Sequence, residues 1–234
     1  MSHAHDRPQP PDAGPLADAG AVAGPAARPS TEAPADAEPR PRRVRPKPGE
    51  RRLQILQTLA EMLQQPGGER VTTAALAARL KVSEAALYRH FASKAQMFEG
   101  LIEFIEGTVF GLINRIAADQ PVGVEQLRAM LAMLLHFAER NPGMTRVLIG
   151  DALVTEDDRL QGRINQLVDR IEASVKQGFR IAVAQGALPE GTDVAARAGL
   201  LTAFVIGRWS RFAKSGFKRA PSDGLDAIAP LLIL

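Results

Sequence analysis

Side chains able to bind a polyanion are concentrated in one stretch of the chain, VTTAALAARLKVSEAALYRHFASKAQMF, which spans residues 71–98. The hydrogen-bond donors Tyr88, Arg89 and His90 could reach phosphates or base edges. Ala85 is small enough to let the backbone approach such a ligand closely. Lys94 stands at the start of a further helix, where a cation and free backbone N–H groups form a phosphate clamp. The candidate DNA contacts are Thr72, Thr73, Ser83, Ala85, Tyr88, Arg89, His90 and Lys94.

The apolar residues of this stretch predict the elements that hold these side chains. Leu76 and Leu80 share one face of a first short helix, and Leu87 and Phe91 share the inward face of a second. Thr72 or Thr73 can cap the first helix and Ser83 the second. The spacing is that of a helix-turn-helix with a recognition helix over 83–91. Two amphipathic helices packed on a core, with an ordinary polar surface, would show the same spacing.

The string VSEAALYRHFASKAQMF resembles the recognition-helix signature of the tetracycline-repressor family. That signature has a valine and serine, then leucine-tyrosine, histidine-phenylalanine and a lysine that opens the fourth helix. The matching residues are Val82, Ser83, Leu87, Tyr88, His90, Phe91 and Lys94. The resemblance implies sequence-specific binding of double-stranded DNA.

Composition restricts the remaining possibilities. The chain has no cysteine, which excludes disulfides and thiolate chemistry and fits a reducing cytosol. It has four histidines, two of them in a low-complexity N-terminal segment, so no metal site is expected. No apolar run reaches the roughly 18 residues of a membrane span. The sequence also has no Gly-rich phosphate loop, so we expect no enzyme activity and no cofactor.

Residues 1–48 are rich in Pro, Ala, Gly and acids, and we expect a disordered tail. Residues 40–52 carry seven basic residues and one acid, immediately before the helix-turn-helix. Such an arm can follow a phosphate backbone or can act as a solubilising linker. The sequence leaves both possibilities open.

Periodicity predicts an all-α chain of about nine helices in a tetracycline-repressor-like fold. We expect a helix-turn-helix domain over 49–97 and a helical dimerisation and partner-binding domain over 98–234. The predicted helices outside the helix-turn-helix pair span 50–64 and about 93–118, 123–139, 144–152, 157–185 and 193–215, with a short terminal helix. Family resemblance implies a homodimer through the helices at 164–175 and 200–212, and each of these apolar stripes is expected to need a partner. Packing within one chain alone would be the alternative.

Five further segments resemble the nucleoid occlusion factors within this family: LIEFIE (101–106), ERNPG (139–143), DRLQGRINQL (158–167), SRF (210–212) and FK (217–218). This narrower resemblance implies a nucleoid-associated regulator that, when bound to DNA, inhibits ring assembly by the division GTPase FtsZ. It implies partner contacts at Phe104, Arg140 and Asn141. Nucleoid occlusion factors carry a basic residue near the position that Leu112 occupies in this chain. Arg115, one helical turn further along, is expected to take the place of that basic residue.

The alternative is an ordinary repressor of the same family that is released by a small apolar ligand. Met130, Met133 and Phe137 could line a pocket for it, although an apolar stripe is more often plain core. We therefore expect no small-molecule ligand.

Overall fold

The computed structural model describes residues 49–65, 70–154 and 156–234, which form nine α-helices and no β-strand. The helices are α1 (Glu50–Gln64), α2 (Thr73–Leu80), α3 (Glu84–Tyr88), α4 (Lys94–Asp119), α5 (Gly123–Arg140), α6 (Pro142–Leu148), α7 (Asp158–Ala184), α8 (Val194–Lys214) and α9 (Leu225–Ile233). The all-α class predicted from periodicity is confirmed. The predicted disordered tail over 1–48 lies outside the described residues.

Two predicted helices differ from the observed ones. The recognition helix ends at Tyr88 and not at Phe91, because Phe91 turns into the core, where it is 1% exposed. The helix predicted over 144–152 is split into α6 and a 3-10 helix, Asp151–Leu153. Gly150 separates them with a φ of +79°, a left-handed conformation that favours glycine.

A continuous apolar core joins the helix-turn-helix to the C-terminal helices through α4. Leu59, Leu76 and Leu87 are buried at its N-terminal end, with Phe98 from the first turns of α4. Further along α4, Ile105 and others continue the same core against α5 and α7. The 26-residue helix α4 is therefore the rigid link between the DNA-binding elements and the C-terminal helices.

The apolar stripe of α7 is buried inside its own chain, against α5 and α8. Ile164 and Leu167 are 2% and 0% exposed. The expectation that this stripe needs a second subunit was wrong, because intramolecular packing already removes it from water. On α8, Leu201 and Trp209 also point inward, while Leu200 is 59% exposed. Within the described ranges, no helix combines the length and apolarity that a membrane span requires.

Candidate nucleic-acid interface

Two threonines at the start of α2 have different partners. The Thr72 hydroxyl oxygen accepts a hydrogen bond from the Ala75 N–H at 3.2 Å, so Thr72 is the N-cap. The Thr73 hydroxyl donates to Oε2 of Glu84 at 2.6 Å and so links the first turn of α2 to the first turn of α3. Both threonines belong to the frame that orients the two helices.

The tight connection between α2 and α3 depends on Lys81. Its φ of 55° is left-handed, and its N–H bonds the Ala78 carbonyl at 3.1 Å. The Val82 N–H then bonds the Ala77 carbonyl at 3.0 Å. Ser83 follows as the N-cap of α3, with its hydroxyl accepting from the Ala86 N–H at 3.3 Å. This run of local bonds sets the angle at which α3 leaves α2.

The outward face of α3 is accessible to a ligand. Ala85, Tyr88, Arg89 and His90 are all exposed, whereas Leu87 between them is 1% exposed. The structure therefore brings together the residues that the sequence assigned to the recognition face. A small residue beside a guanidinium, an imidazole and a phenol suits a major groove and its flanking phosphates.

Two arginines of α1 extend this face, although sequence analysis placed them only in the general basic arm. Arg51 lines a cleft of about 460 Å³ with Arg89 and His90. The Arg52 guanidinium stacks on the Phe91 ring at 4.3 Å from its centroid and points one N–H at the His90 carbonyl, 3.5 Å away. Their position at the start of α1, just before the helix-turn-helix, is the feature of the sequence that could have assigned these arginines to this face.

Lys94 is not an unpaired cation at this face. Its ammonium lies 2.5 Å from Oε1 of Glu156, and their side chains are 30% and 9% exposed. The Ser93 hydroxyl caps α4 by accepting from the Gln96 N–H at 3.1 Å. The predicted capped start of α4 is therefore present, and the Lys94 ammonium forms an ion pair with Glu156 from the connection between α6 and α7.

Glu156 and Asp157, two acidic residues just before α7, have separate roles. Asp157 is the N-cap of α7, and its Oδ1 accepts from the Arg159 N–H at 3.0 Å. The hydrogen bonds from the Arg159 side chain and backbone lower the pKa of the Asp157 carboxyl to about 2. Glu156, one residue earlier, is directed to Lys94.

The four predicted partner residues lie in two places. Phe104, 37% exposed, and the exposed Arg115 are on the outer side of α4. Arg140 and Asn141 line a different cleft of about 400 Å³, between the end of α5 and helix α1, whose lining contains neither Phe104 nor Arg115. The four predicted partner residues therefore do not line one common groove at this cleft.

An ion-pair network that the sequence did not indicate joins α4 to α7. Arg163 of α7 pairs with Glu106 at 2.7 Å and approaches Glu103 at 3.6 Å. Arg170 stacks on the ring of Phe110, 3.9 Å from its centroid. These contacts hold α7 against α4.

Both halves of the chain match family models of one class of regulator. Residues 55–101 match the bacterial regulatory proteins of the tetR family. Residues 122–233 match an SlmA-like, tetracyclin repressor-like C-terminal domain.

Relatives matched over most of their length decide the family. The nucleoid occlusion factor SlmA of Idiomarina loihiensis is 51% identical over 177 residues, which cover 76% of this chain and 90% of the relative. That of Cronobacter sakazakii is 50% identical over 183 residues, covering 78% and 92%. The chain belongs to the SlmA family of nucleoid occlusion factors. As in other SlmA-family and TetR-type regulators, its helix-turn-helix is a DNA-binding unit.

Solved structures agree with this family in fold. The TetR family regulator PfmR from Thermus thermophilus has a TM-score of 0.65 at 22% identity, covering 76% of this SlmA-family chain and 96% of PfmR. The fatty acid degradation regulator FadR from Bacillus halodurans has a TM-score of 0.67 at 13% identity, covering 79% and 95%. The predicted tetracycline-repressor-like fold is confirmed, and so is the resemblance to nucleoid occlusion factors.

Proposed function

We propose that this SlmA-family chain acts as a cytoplasmic, nucleoid-associated homodimer that binds palindromic chromosomal sites. When bound to DNA, it engages FtsZ and inhibits ring assembly over the nucleoid. The observation that carries the DNA-binding part is one exposed surface, formed by Ala85 and Tyr88 of α3 and by Arg89 and His90, which follow it, between the capped starts of α3 and α4. The naming of the relatives as nucleoid occlusion factors supports the division-related part.

The exposed side of α8 supports dimerisation. Leu200 leaves 59% of its surface in water, Ala203 and Gly207 are exposed further along the helix, and Phe204 is only partly buried beside them. Small residues around an exposed leucine allow two such helices to approach closely. Two helix-turn-helix units in a symmetric dimer would read the two halves of a palindrome.

The DNA contacts are tested by salt-dependent binding of the chain to its operator. Thr72→Ala, Tyr88→Ala and Lys94→Ala should each weaken binding, and Lys94→Ala should lower the slope of log affinity against log salt by about one unit. Arg180→Ala, an exposed change near the end of α7, is the matched control. Full affinity in all three variants would refute this interface.

The partner surface is tested by charge reversal at Arg140. Its cation stands in the last turn of α5, where the helix dipole favours it modestly. Arg140→Asp should leave operator binding and dimerisation intact and abolish DNA-stimulated inhibition of FtsZ polymerisation. Arg128→Asp, an exposed change on the same helix, should retain inhibition. Unchanged inhibition in Arg140→Asp would remove Arg140 from the partner surface, and a loss of stability would assign it to the helix end.

One observation favours a second candidate, a repressor released by a small ligand. A cleft of about 410 Å³ between α4, α5 and α7 is lined by Ile113, Ala117, Met130, Ile181 and several polar residues. A bound apolar ligand would raise the melting temperature by mass action. Thermal shift with a series of fatty acids tests this, and no shift at saturating concentration would exclude that ligand class.

A further inference from the structure

The exposed side of α8 has opposite charges toward its two ends. Leu200, Ala203 and Gly207 lie along its middle. Arg211 is exposed near the C-terminal end, and the carboxylate of Glu172, from the neighbouring helix α7, lies nearer the N-terminal end. This side is proposed to be buried between two subunits, so the partners of these charges must be groups that remain available in the dimer.

The Glu172 carboxylate lies against the N-terminal half of α8. A Cβ at Gly199 would be 4.0 Å from both of its oxygens, so the glycine leaves the carboxylate room beside the helix. Glu172 is half-buried, and it makes no hydrogen bond or ion pair with any described residue, although Lys176 follows one turn later on α7. Further burial of a carboxylate without a counterion is costly, so dimerisation on this side requires a cation from the second subunit.

Arg211 and Arg208, which lie three residues apart on α8, differ in their contacts. The Arg208 guanidinium donates to the Pro221 carbonyl at 2.7 Å and to the Ala220 carbonyl at 3.3 Å, so it ties α8 to the segment before α9. The Arg211 guanidinium makes no hydrogen bond or ion pair within the described part of the chain. Arg211 therefore has a charge that its own subunit leaves without a counterion, and its planar group suits a bidentate contact with a carboxylate.

Two-fold symmetry can bring these two charges together. Ala203 and Gly207 are the small residues at which two α8 helices can approach, and their midpoint is position 205. Gly199 lies six residues before this midpoint and Arg211 six residues after it, roughly 9 Å in each direction at a rise of 1.5 Å per residue. In an antiparallel pair, Arg211 of one subunit therefore lies beside Gly199 and Glu172 of the other. A parallel pair would instead bring the two Arg211 guanidinium groups together, and like charges repel.

We infer that Glu172 forms an ion pair with Arg211 of the partner subunit, twice in each homodimer, and that these two contacts select the antiparallel register of α8. The inference rests on the proposed homodimer and deepens it, since it assigns the residues that set the geometry of the interface. Leu200 and the small residues supply apolar contact in any register, whereas paired charges distinguish one register from another. The register in turn fixes how far apart the two recognition helices lie.

Charge reversal in the full-length protein without DNA tests this pairing by sedimentation. Glu172→Arg and Arg211→Glu should each raise the dimer dissociation constant about tenfold or more, because each places two like-charged pairs in the interface. An equimolar mixture of the two variants should form a heterodimer of nearly the original affinity, because each subunit supplies the charges that the other lacks. The matched controls, Glu61→Arg and Arg79→Glu, reverse the same charges at exposed positions of α1 and α2 and should dimerise like the unmodified chain, alone or mixed.

Weak dimers of each variant and a strong heterodimer in the mixture support the inference. Rescue in the double variant Glu172→Arg/Arg211→Glu but not in the mixture would overturn it, because the pair would then form within one subunit. If circular dichroism shows that either reversal unfolds the chain, Glu172→Gln, Arg211→Gln and their combination replace the reversals in a double-mutant cycle, and a coupling of zero would overturn the pairing.

The proposed homodimer and this pairing fail in different ways. An unmodified protein that sediments as a monomer would refute the homodimer itself. A dimer that tolerates both Glu172→Arg and Arg211→Glu would refute only the pairing and leave the homodimer in place.

Discussion

The ammonium of Lys94 lies 2.5 Å from Oε1 of Glu156, 62 residues further along the chain. Lys94 opens α4, the helix that follows the recognition helix, and Glu156 precedes the N-cap of α7. The pair therefore joins the DNA-binding elements to the C-terminal helices. If Lys94 binds a phosphate, the phosphate and Glu156 compete for one cation.

Neutralising Glu156 should strengthen operator binding. In Glu156→Gln the Lys94 ammonium is no longer neutralised, and a carboxylate that repels the approaching phosphate is gone. We expect a rise in affinity of about two- to fivefold, the size of one partly exposed ion pair. Fluorescence anisotropy with labelled operator DNA at fixed salt measures it.

The control for this prediction is Asp158→Asn. Asp158 lies two residues after Glu156 and does not pair with Lys94, so this change removes the same charge without breaking the ion pair. An equal rise in both variants would show a general charge effect and contradict competition at Lys94. A fall in affinity in Glu156→Gln would show instead that Glu156 orients the lysine toward the phosphate.

Replacing Gly143 should destabilise the contact between α1 and α6. A Cβ at this position would lie 1.9 Å from the Ala60 carbonyl oxygen, which is backbone and cannot rotate away. We expect Gly143→Ala to lower the free energy of unfolding by about 2 kcal/mol or more. Gly111→Ala in α4 is the control, since its Cβ would meet nothing within 4 Å and should stabilise by about 0.5–1 kcal/mol. Urea denaturation compares the two, and an unchanged midpoint in Gly143→Ala would refute the close approach.

Asp157 should contribute a pH-dependent part of the stability of α7. Hydrogen bonds from Arg159 lower the pKa of the Asp157 carboxyl from its ordinary value of 3.8 to about 2. The stabilisation is therefore fully present above about pH 4 and is lost as the pH falls from about 4 through 2. Asp157→Asn, which keeps an oxygen acceptor for the cap, should lack this loss. A carboxyl titration by NMR that gives a midpoint near the ordinary value would contradict the prediction.

A charge at Leu200 should dissociate the dimer without unfolding the subunit. Leu200 is 59% exposed within its own chain, so an aspartate there costs little in the monomer but would be buried and unpaired against a second α8. Sedimentation of Leu200→Asp should show a monomer with unchanged helical circular dichroism. Leu231→Asp, at an 81% exposed leucine of α9, is the control and should remain a dimer. A dimer in both variants would place the interface elsewhere.

The elements that local chemistry specifies could be predicted from sequence. The bounds of α1 were predicted to the residue, and those of α4, α5, α7 and α8 to within one residue, because Ser93, Asp157 and similar caps act within one helical turn. The recognition face was predicted for the same reason, since Leu87 and the exposed residues around it follow one helical period. The break at Gly150 was missed because the sequence around it remains compatible with a helix.

Contacts between distant segments were decided only by tertiary structure. Helical periodicity shows that the α7 stripe must be buried, but it does not distinguish burial in the same chain from burial in a partner. The Lys94–Glu156 pair and the position of Arg140 beside α1 likewise join segments that are far apart in sequence. The sequence by itself determined the bounds of most helices, their caps and the exposed side of α3, because backbone hydrogen bonds and side-chain periodicity are local. Only the packing of α4, α6 and α7 decided which charges meet, because an ion pair depends on the distance between helices that no local pattern encodes.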